Sequence, residues 1–189
     1  EGEDNLEKLS SSDFLALANL SRNNISRISY FSGGQWQGGT TYDFKTGEIS
    51  GKSFDLVFGK GYVVIAEQDC TISIPGYEIK ESIPLAFSSG WNLIGVHGYS
   101  TAYTAKTFIE SINTIEGLKA NNVTWWPTSR GMYQGYQLQN GQEYGQAFPI
   151  SPLNGYFVRI SEFTPEEDTC KSLIWNPGGE LNGKCGTNN

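Results

Sequence analysis

Apolar positions along this chain follow two periods, and each run of elements is written twice. Phe108, Ile109, Ile112 and Ile115 make the i, i+1, i+4, i+7 stripe of an amphipathic helix with one buried side, beginning at Thr104. Phe14, Leu15 and Ala18 mark a matching face within residues 6–20, behind Ser10, Ser11, Ser12 and Asp13, whose side chains can accept helix amide protons. Both helices are predicted to stop near Asn-rich loops, at Asn23-Asn24 and Asn121-Asn122, residues that tolerate a left-handed exit. Elsewhere the pattern is extended. Aromatic-rich strands are predicted over 25–31 and 123–126, each followed by a Gly-rich turn and a second strand around Trp36 or over 132–138. Thr46-Gly47 and Asn140-Gly141 mark the next hairpins. Each copy then closes with an apolar strand, a Gly turn and another strand: 54–58 into 61–65, and 148–150 into 155–160, where Pro149 and Pro152 suit an edge or a bulge.

The two scripts lie about ninety-five positions apart. Ser29-Tyr30-Phe31 answers Thr124-Trp125-Trp126, and Gly34-Gln35-Trp36-Gln37-Gly38 answers Gly131-Met132-Tyr133-Gln134-Gly135. Ser53-Phe54-Asp55-Leu56 answers Ala147-Phe148-Pro149-Ile150, and Gly61-Tyr62-Val63-Val64 answers Gly155-Tyr156-Phe157-Val158. The slippage is confined to loops, as expected of a duplicated unit. A residue present at matched places in both copies points to packing before it points to a binding site. Two short strands are predicted around Ser89-Gly90, and the second of them, Gly-Trp-Asn-Leu-Ile-Gly-Val (90–96), leads the second copy. Nothing corresponds to it ahead of Phe14. An unpaired sheet edge is sticky and costly. Three remedies present themselves: the spare strand at 172–175, a strand from a neighbouring subunit, or a longer protein from which this chain is cut, the last being favoured.

The composition fits short strands and tight turns: charged residues are 17%, with 23 glycines and 25 aromatics (10 Phe, 10 Tyr, 5 Trp). The net charge is −7 with no basic run, which argues against nucleic acid and against an anionic membrane surface. No apolar stretch is long enough to cross a bilayer. Of three cysteines, Cys170 and Cys185 flank a Pro-Gly-Gly turn, and a bridge between them is the favoured pairing. A Cys70–Cys170 bridge and three reduced thiols are the alternatives, since sequence cannot fix connectivity. Asn19, Asn24 and Asn122 begin glycosylation triplets, a slight pointer to an extracellular home.

Catalytic chemistry is thinly supplied. His97 stands alone, with no nucleophile elbow or cysteine signature beside it. One histidine and three scattered cysteines do not make a zinc set, no phosphate-cradling glycine loop opens a helix, and the Asp-rich calcium loop is missing. Carboxylate pairs able to cleave sugars would come from Glu67/Asp69, Asp43/Glu48, Glu78/Glu81 or the run 166–168, and only proximity in space would make them a site. The aromatics carry more. Trp125, Trp126, Tyr133, Tyr136 and Tyr144 are interleaved with Gln134, Gln137, Gln139, Asn140 and Gln142. Rings stack on sugar C–H faces while amides meet hydroxyls, and the same mixture suits a protein contact. Alternation puts Trp125 and Trp126 on opposite faces of their strand, so one of the two is core.

The order Gly-Trp-Asn-Leu-Ile-Gly (90–95), helix 104–112, aromatic strand 123–126, Tyr133, Phe148-x-Ile150 and Gly155-Tyr-Phe-Val158 resembles a repeat of large secreted and surface-anchored prokaryotic envelope and adhesin-like proteins. The resemblance covers most of 83–160 and, more loosely, 12–66. It implies an accessory β-rich module at the cell surface with no established catalytic centre. Members often carry a basic residue before the strand tryptophan and a second tryptophan in the next strand. Here Trp125 precedes Trp126, and Tyr133 stands for the second. These are packing motifs, and no functional residue transfers.

The expectation is therefore an α+β protein, mainly antiparallel β, built as two related modules of one short helix and four or five strands. The modules are placed at 1–75 and 76–169, with a tail at 170–189 that a disulfide closes. The expected role is a non-catalytic extracellular module for adhesion or assembly that binds a surface or matrix glycan or protein, with Trp126, Tyr133 and Tyr136 lining the contact and no cofactor or metal. The rivals are a pilin-like or strand-donating filament subunit, which would self-assemble, and a secreted hydrolase domain.

Overall fold

The structure is a computed structural model that describes residues 9–20, 24–73, 83–96, 103–177 and 181–186. In chain order its elements are α1 (Ser11–Leu20), β1 (Ile25–Ser32), β2 (Gln35–Tyr42), β3 (Ile49–Gly51), β4 (Tyr62–Ala66), β5 (Leu85–Phe87), β6 (Gly90–Gly95), α2 (Ala105–Ile112), β7 (Leu118–Trp125), β8 (Gln134–Gln139), β9 (Gln142–Gly145), β10 (Gly155–Phe163) and β11 (Leu173–Trp175). All strand pairs whose register is given are antiparallel. The chain is α+β with antiparallel sheet dominant. It divides into two compact units that part between residues 78 and 79, the second also taking the short segments Phe31–Gln35 and Phe58–Gly61.

The two units repeat one topology. The first sheet runs β3-β2-β1-β4 and the second β6-β10-β7-β8-β9, so the order matches strand for strand once β6 is set aside. The register matches too: Tyr62, Val63 and Val64 oppose Tyr30, Ser29 and Ile28, as Tyr156, Phe157 and Val158 oppose Trp125, Thr124 and Val123. Thr40 opposes Gly51, as Tyr136 opposes Gly145. Gly51 and Gly145 both take positive φ, and a Cβ on either would strike the carbonyl of Gly39 or Gly135. That pairing makes Gly39, not Gly38, the counterpart of Gly135, one residue off the sequence alignment.

Each helix starts by the same reciprocal cap. Ser10 Oγ accepts from Asp13 N (3.1 Å) while Ser10 N donates to Asp13 Oδ2 (3.1 Å). Thr104 Oγ1 accepts from Thr107 N (3.2 Å) while Thr104 N donates to Thr107 Oγ1 (2.9 Å). The residues at the helix entry form single antiparallel bridges, Ser10 to Asp55 and Thr104 to Pro149. Four backbone hydrogen bonds complete both copies: Ser11 N to Phe54 O and Leu56 N to Leu9 O, against Ala105 N to Phe148 O and Ile150 N to Tyr103 O. Segments 54–58 and 148–150 are thus straps bridged at one residue each, not the strands the apolar runs predict. The fixed φ and missing donor of Pro149 are tolerable in a strap. At the other end, Asn19 and Asn113 each hold both backbone groups of a residue beyond the helix, Ile25 (2.9 and 2.9 Å) and Ala120 (2.6 and 3.1 Å). The left-handed exit is realised at Asn24, with φ 53°, and Asn23 lies outside the described residues; Asn121 and Asn122 instead lie within β7, well past the end of α2.

The second core gathers Phe108, Ile109, Ile112, Val123, Tyr136, Phe148, Tyr156 and Val158, together with Ile94 of β6. The two strands around Ser89-Gly90 do form, but they do not pair with each other: β6 pairs with β10, and β5 pairs with β11. At the start of the segment 170–189, Cys170, Leu173 and Trp175 belong to this core. Trp175 lies edge-on to Phe108 at 5.0 Å and donates from Nε1 to Ser111 Oγ at 3.0 Å. Cys170 and Cys185 are bonded, with Cα atoms 5.6 Å apart, and Cys70 is a free exposed thiol. Since β11 is taken by β5, it does not supply the strand missing from the first copy. Among the described residues no helix is long and apolar enough to cross a membrane.

Candidate functional site

The matched rings sort first, because repetition says which of them are interior filling. Phe54 stacks on Tyr62 (5.9 Å, 10°) and tilts against Tyr30 (4.5 Å, 50°). Phe148 stacks on Tyr156 (6.2 Å, 9°) and tilts against Trp125 (5.9 Å, 38°). Each tyrosine hydroxyl accepts a strap amide, Val57 N to Tyr62 (2.7 Å) and Ser151 N to Tyr156 (2.8 Å). Burial raises the pKa of Tyr62. Trp125 is thereby accounted for as packing, its Nε1 donating to Gln134 Oε1 at 3.2 Å.

Trp126 follows β7 and faces the other way, as alternation requires. It is 47% exposed and meets the 56% exposed Tyr133 edge-on, with centroids 4.8 Å apart at 77°. From Tyr133 the rings continue to Phe157 (6.4 Å) and on to Trp91 (6.5 Å), with Phe31 against Phe157 at 5.7 Å. Phe157 opposes Thr124 on one side and Leu93 on the other, and Trp91 opposes Arg159. This is the outer face of the second sheet, since the neighbouring residues Tyr156, Val158 and Ile160 point into the core. The rings form a chain across the sheet with Trp126 and Tyr133 at its most exposed end.

Tyr136 does not belong to that surface. It is 3% exposed, opposite Val123 on the core face of β8, while Gly135 and Gln137 take the outer face. Its placement on the contact face is corrected by the strand's own alternation. Burial, helped by the nearby Glu143 charge, raises its pKa. Glu143 on β9 forms an ion pair with Lys106 of α2, which holds its carboxyl below the usual range and the ammonium above. Trp91 and Phe157 were missed as surface rings because the Gly-Trp-Asn-Leu-Ile-Gly and Gly-Tyr-Phe-Val runs read as packing, and only register puts their outward members together.

The remaining chemistry is dispersed. Asp43 Oδ1 accepts from Lys45 N (2.7 Å) and Thr46 N (3.3 Å), closing a turn. Asp13 caps α1, and the bond from Ser10 lowers its pKa. Glu67 and Asp69 lie exposed after β4. His97, Glu78 and Glu81 lie outside the described residues. Among the described residues no three His, Cys, Asp or Glu side chains gather as a metal set. A cleft of about 350 Å³ in the second unit is lined by Glu116, Glu166, Thr114, Thr164, Asn182 and Lys184 among others. Its walls come from segments distant in sequence, so no local pattern announces it. No family model matches the chain, and no curated protein or solved structure matches it either.

Proposed function

We propose that this chain is a non-catalytic extracellular module that presents the Trp126–Tyr133 ring pair for adhesion, with glycans as the ligand class. The observation that carries the reading is the exposed edge-to-face pair at 4.8 Å on the sheet face turned away from the core, continued by Phe157 and Trp91. Two rings at this angle offer one flat face for the apolar side of a pyranose and one edge for its rim. The half-buried Gln137 amide, on the outer face of the adjoining strand, has suitable chemistry for hydroxyls. The Cys170–Cys185 bond supports an oxidising home, and with it a location at or outside the cell surface.

Isothermal titration with cell-wall oligosaccharides, preceded by a glycan array, tests the reading. Binding that disappears in Trp126→Ala and Tyr133→Ala, with Tyr144→Ala unaffected, is the expected result. Absence of binding to every sugar on the array, or retention of binding in both ring variants, sinks it. A second reading, a subunit of an extracellular assembly, is favoured by a separate feature, the edge of the first sheet at β4, which no strand among the described residues pairs.

A further inference from the structure

The first sheet ends where the second continues. In the second, β10 is flanked by β7 on one side and β6 on the other; in the first, β4 is flanked by β1 alone among the described residues. The edge is not merely short of hydrogen bonds, because the core beneath it is open as well. Val158, opposite Asn92 of β6, is 0% exposed, while Val64 at the matching place is 37% exposed. No strand among the described residues pairs with it: β6 pairs with β10 and on its other edge bridges only Lys60, at Ile94, and β11 pairs with β5.

We propose that the outer edge of β4 accepts an extended segment of another polypeptide, antiparallel and with the chemistry of β6, Gly-Trp-Asn-Leu-Ile-Gly. The inference deepens the assembly reading above and rests on it, independently of the aromatic pair. The duplicated sheet supplies both the occupant and its register. Gly90, Trp91, Asn92, Leu93 and Ile94 oppose Ile160, Arg159, Val158, Phe157 and Tyr156. Carried onto the first sheet, these five places face Ala66, Ile65, Val64, Val63 and Tyr62. Gly61 is unavailable, since its amide already donates to Leu93 O at 3.1 Å, so the acceptor edge is Tyr62–Ala66. Main-chain bonds to β4 would give affinity, and a branched apolar side chain at the Ile94 place, opposite Tyr62, would close the core over Val64. The two end glycines have different grounds: Gly90 takes φ 83°, and a Cβ on Gly95 would sit 2.9 Å from Lys60 O.

The probe is a synthetic peptide of residues 88–96, which keeps the Asn92 bonds to Ser88 N and O at 2.9 Å. It is added to the isotope-labelled full chain and followed by amide resonances and hydrogen exchange. The expected result is loss of fast exchange at alternate amides of β4, and none in a peptide whose Asn and Leu-Ile order is scrambled. A nitroxide on the peptide's first residue is expected to broaden Ala66 and to spare Tyr62. Broadening at Tyr62 instead, perturbation confined to β10 through displacement of β6, or no change in β4 each overturns the proposal. Glycan binding measured on the same sample keeps the two readings apart. If the peptide fails and sugar still binds, only the strand site is lost; if sugar fails and the peptide binds, only the ring pair is.

Discussion

Val64 and Val158 stand at the same place in two copies of one sheet, each opposite a buried branched residue, Ile28 or Val123. One is over a third exposed and the other fully covered. The caps, the straps, the asparagine clasps and the stacked rings are common to both units, so none of these decides how complete a core becomes. What differs is supply from outside the repeat: β6 at the edge, and the β5–β11 pair with Trp175 beside α2. Among the described residues, the core cluster of the first unit gathers five buried apolar residues and that of the second twenty-one. The repeated framework sets the geometry, and the added strands bury it. The second unit should therefore be much the more stable, and the first should be limited by an edge that no described strand covers.

The largest test removes an addition. Trp175→Ala takes away a fully buried ring and should cost about 3–5 kcal/mol, read by denaturation with hydrogen exchange resolved at α2. A loss spread equally over α1 would mean the units unfold as one and that the comparison is empty. Reduction of Cys170–Cys185, which closes a 15-residue separation, should cost about 3 kcal/mol by loop entropy and again act on the second unit. Smaller still is the matched pair. Val158→Ala should cost about 2 kcal/mol and Val64→Ala less than about 1 kcal/mol, because the second side chain still meets water. Equal costs would show that the valines do not differ in burial as their exposure says. The tyrosines divide the same way. Tyr156→Phe strands the Ser151 amide inside and should cost about 1–3 kcal/mol, while Tyr62→Phe leaves the more exposed Val57 amide within reach of water and should cost less.

Much of this framework was legible in the sequence, and the reasons are local. Helix stripes, Thr104 as a cap, the Asn140-Gly141 turn (φ 51° and 76°) and the offset of the copies all depend on residues near one another. The straps were misread because an apolar run of five and a strand look alike when the chain makes only one bridge. The pairing of β11 with β5, the cleft at Glu116 and the gathering of Trp91 with Phe157 join segments separated in sequence by whole elements, and no period within the chain encodes such a meeting. Tyr136 shows the opposite failure: its inward position follows from the alternation that separated Trp125 from Trp126, but the cluster of rings around it outweighed that rule.

The smallest expected effect lies where the copies share nothing. Lys106 and Glu143 form their ion pair on the surface of the second unit, and the matching places in the first sheet and helix, Ile49 and Ser12, carry no charge. Both partners are well exposed, so solvent screens the pair and its contribution is small. Its signature is instead the sign of its pH dependence. The Glu143 pKa is lowered on folding from 4.5, so its contribution is fully present above that value and is lost as pH falls through the lower, folded one. The Lys106 pKa is raised from 10.5, so its contribution is present below that value and is lost as pH rises through the higher one. Glu143→Gln should then flatten the acid limb of the second unit's stability profile and leave the first unit's limb, in which Asp13 is capped by Ser10, as it was. Added salt should shrink the difference between wild type and variant. A variant whose acid limb stays as steep as the wild type's would show the ion pair to be idle in solution.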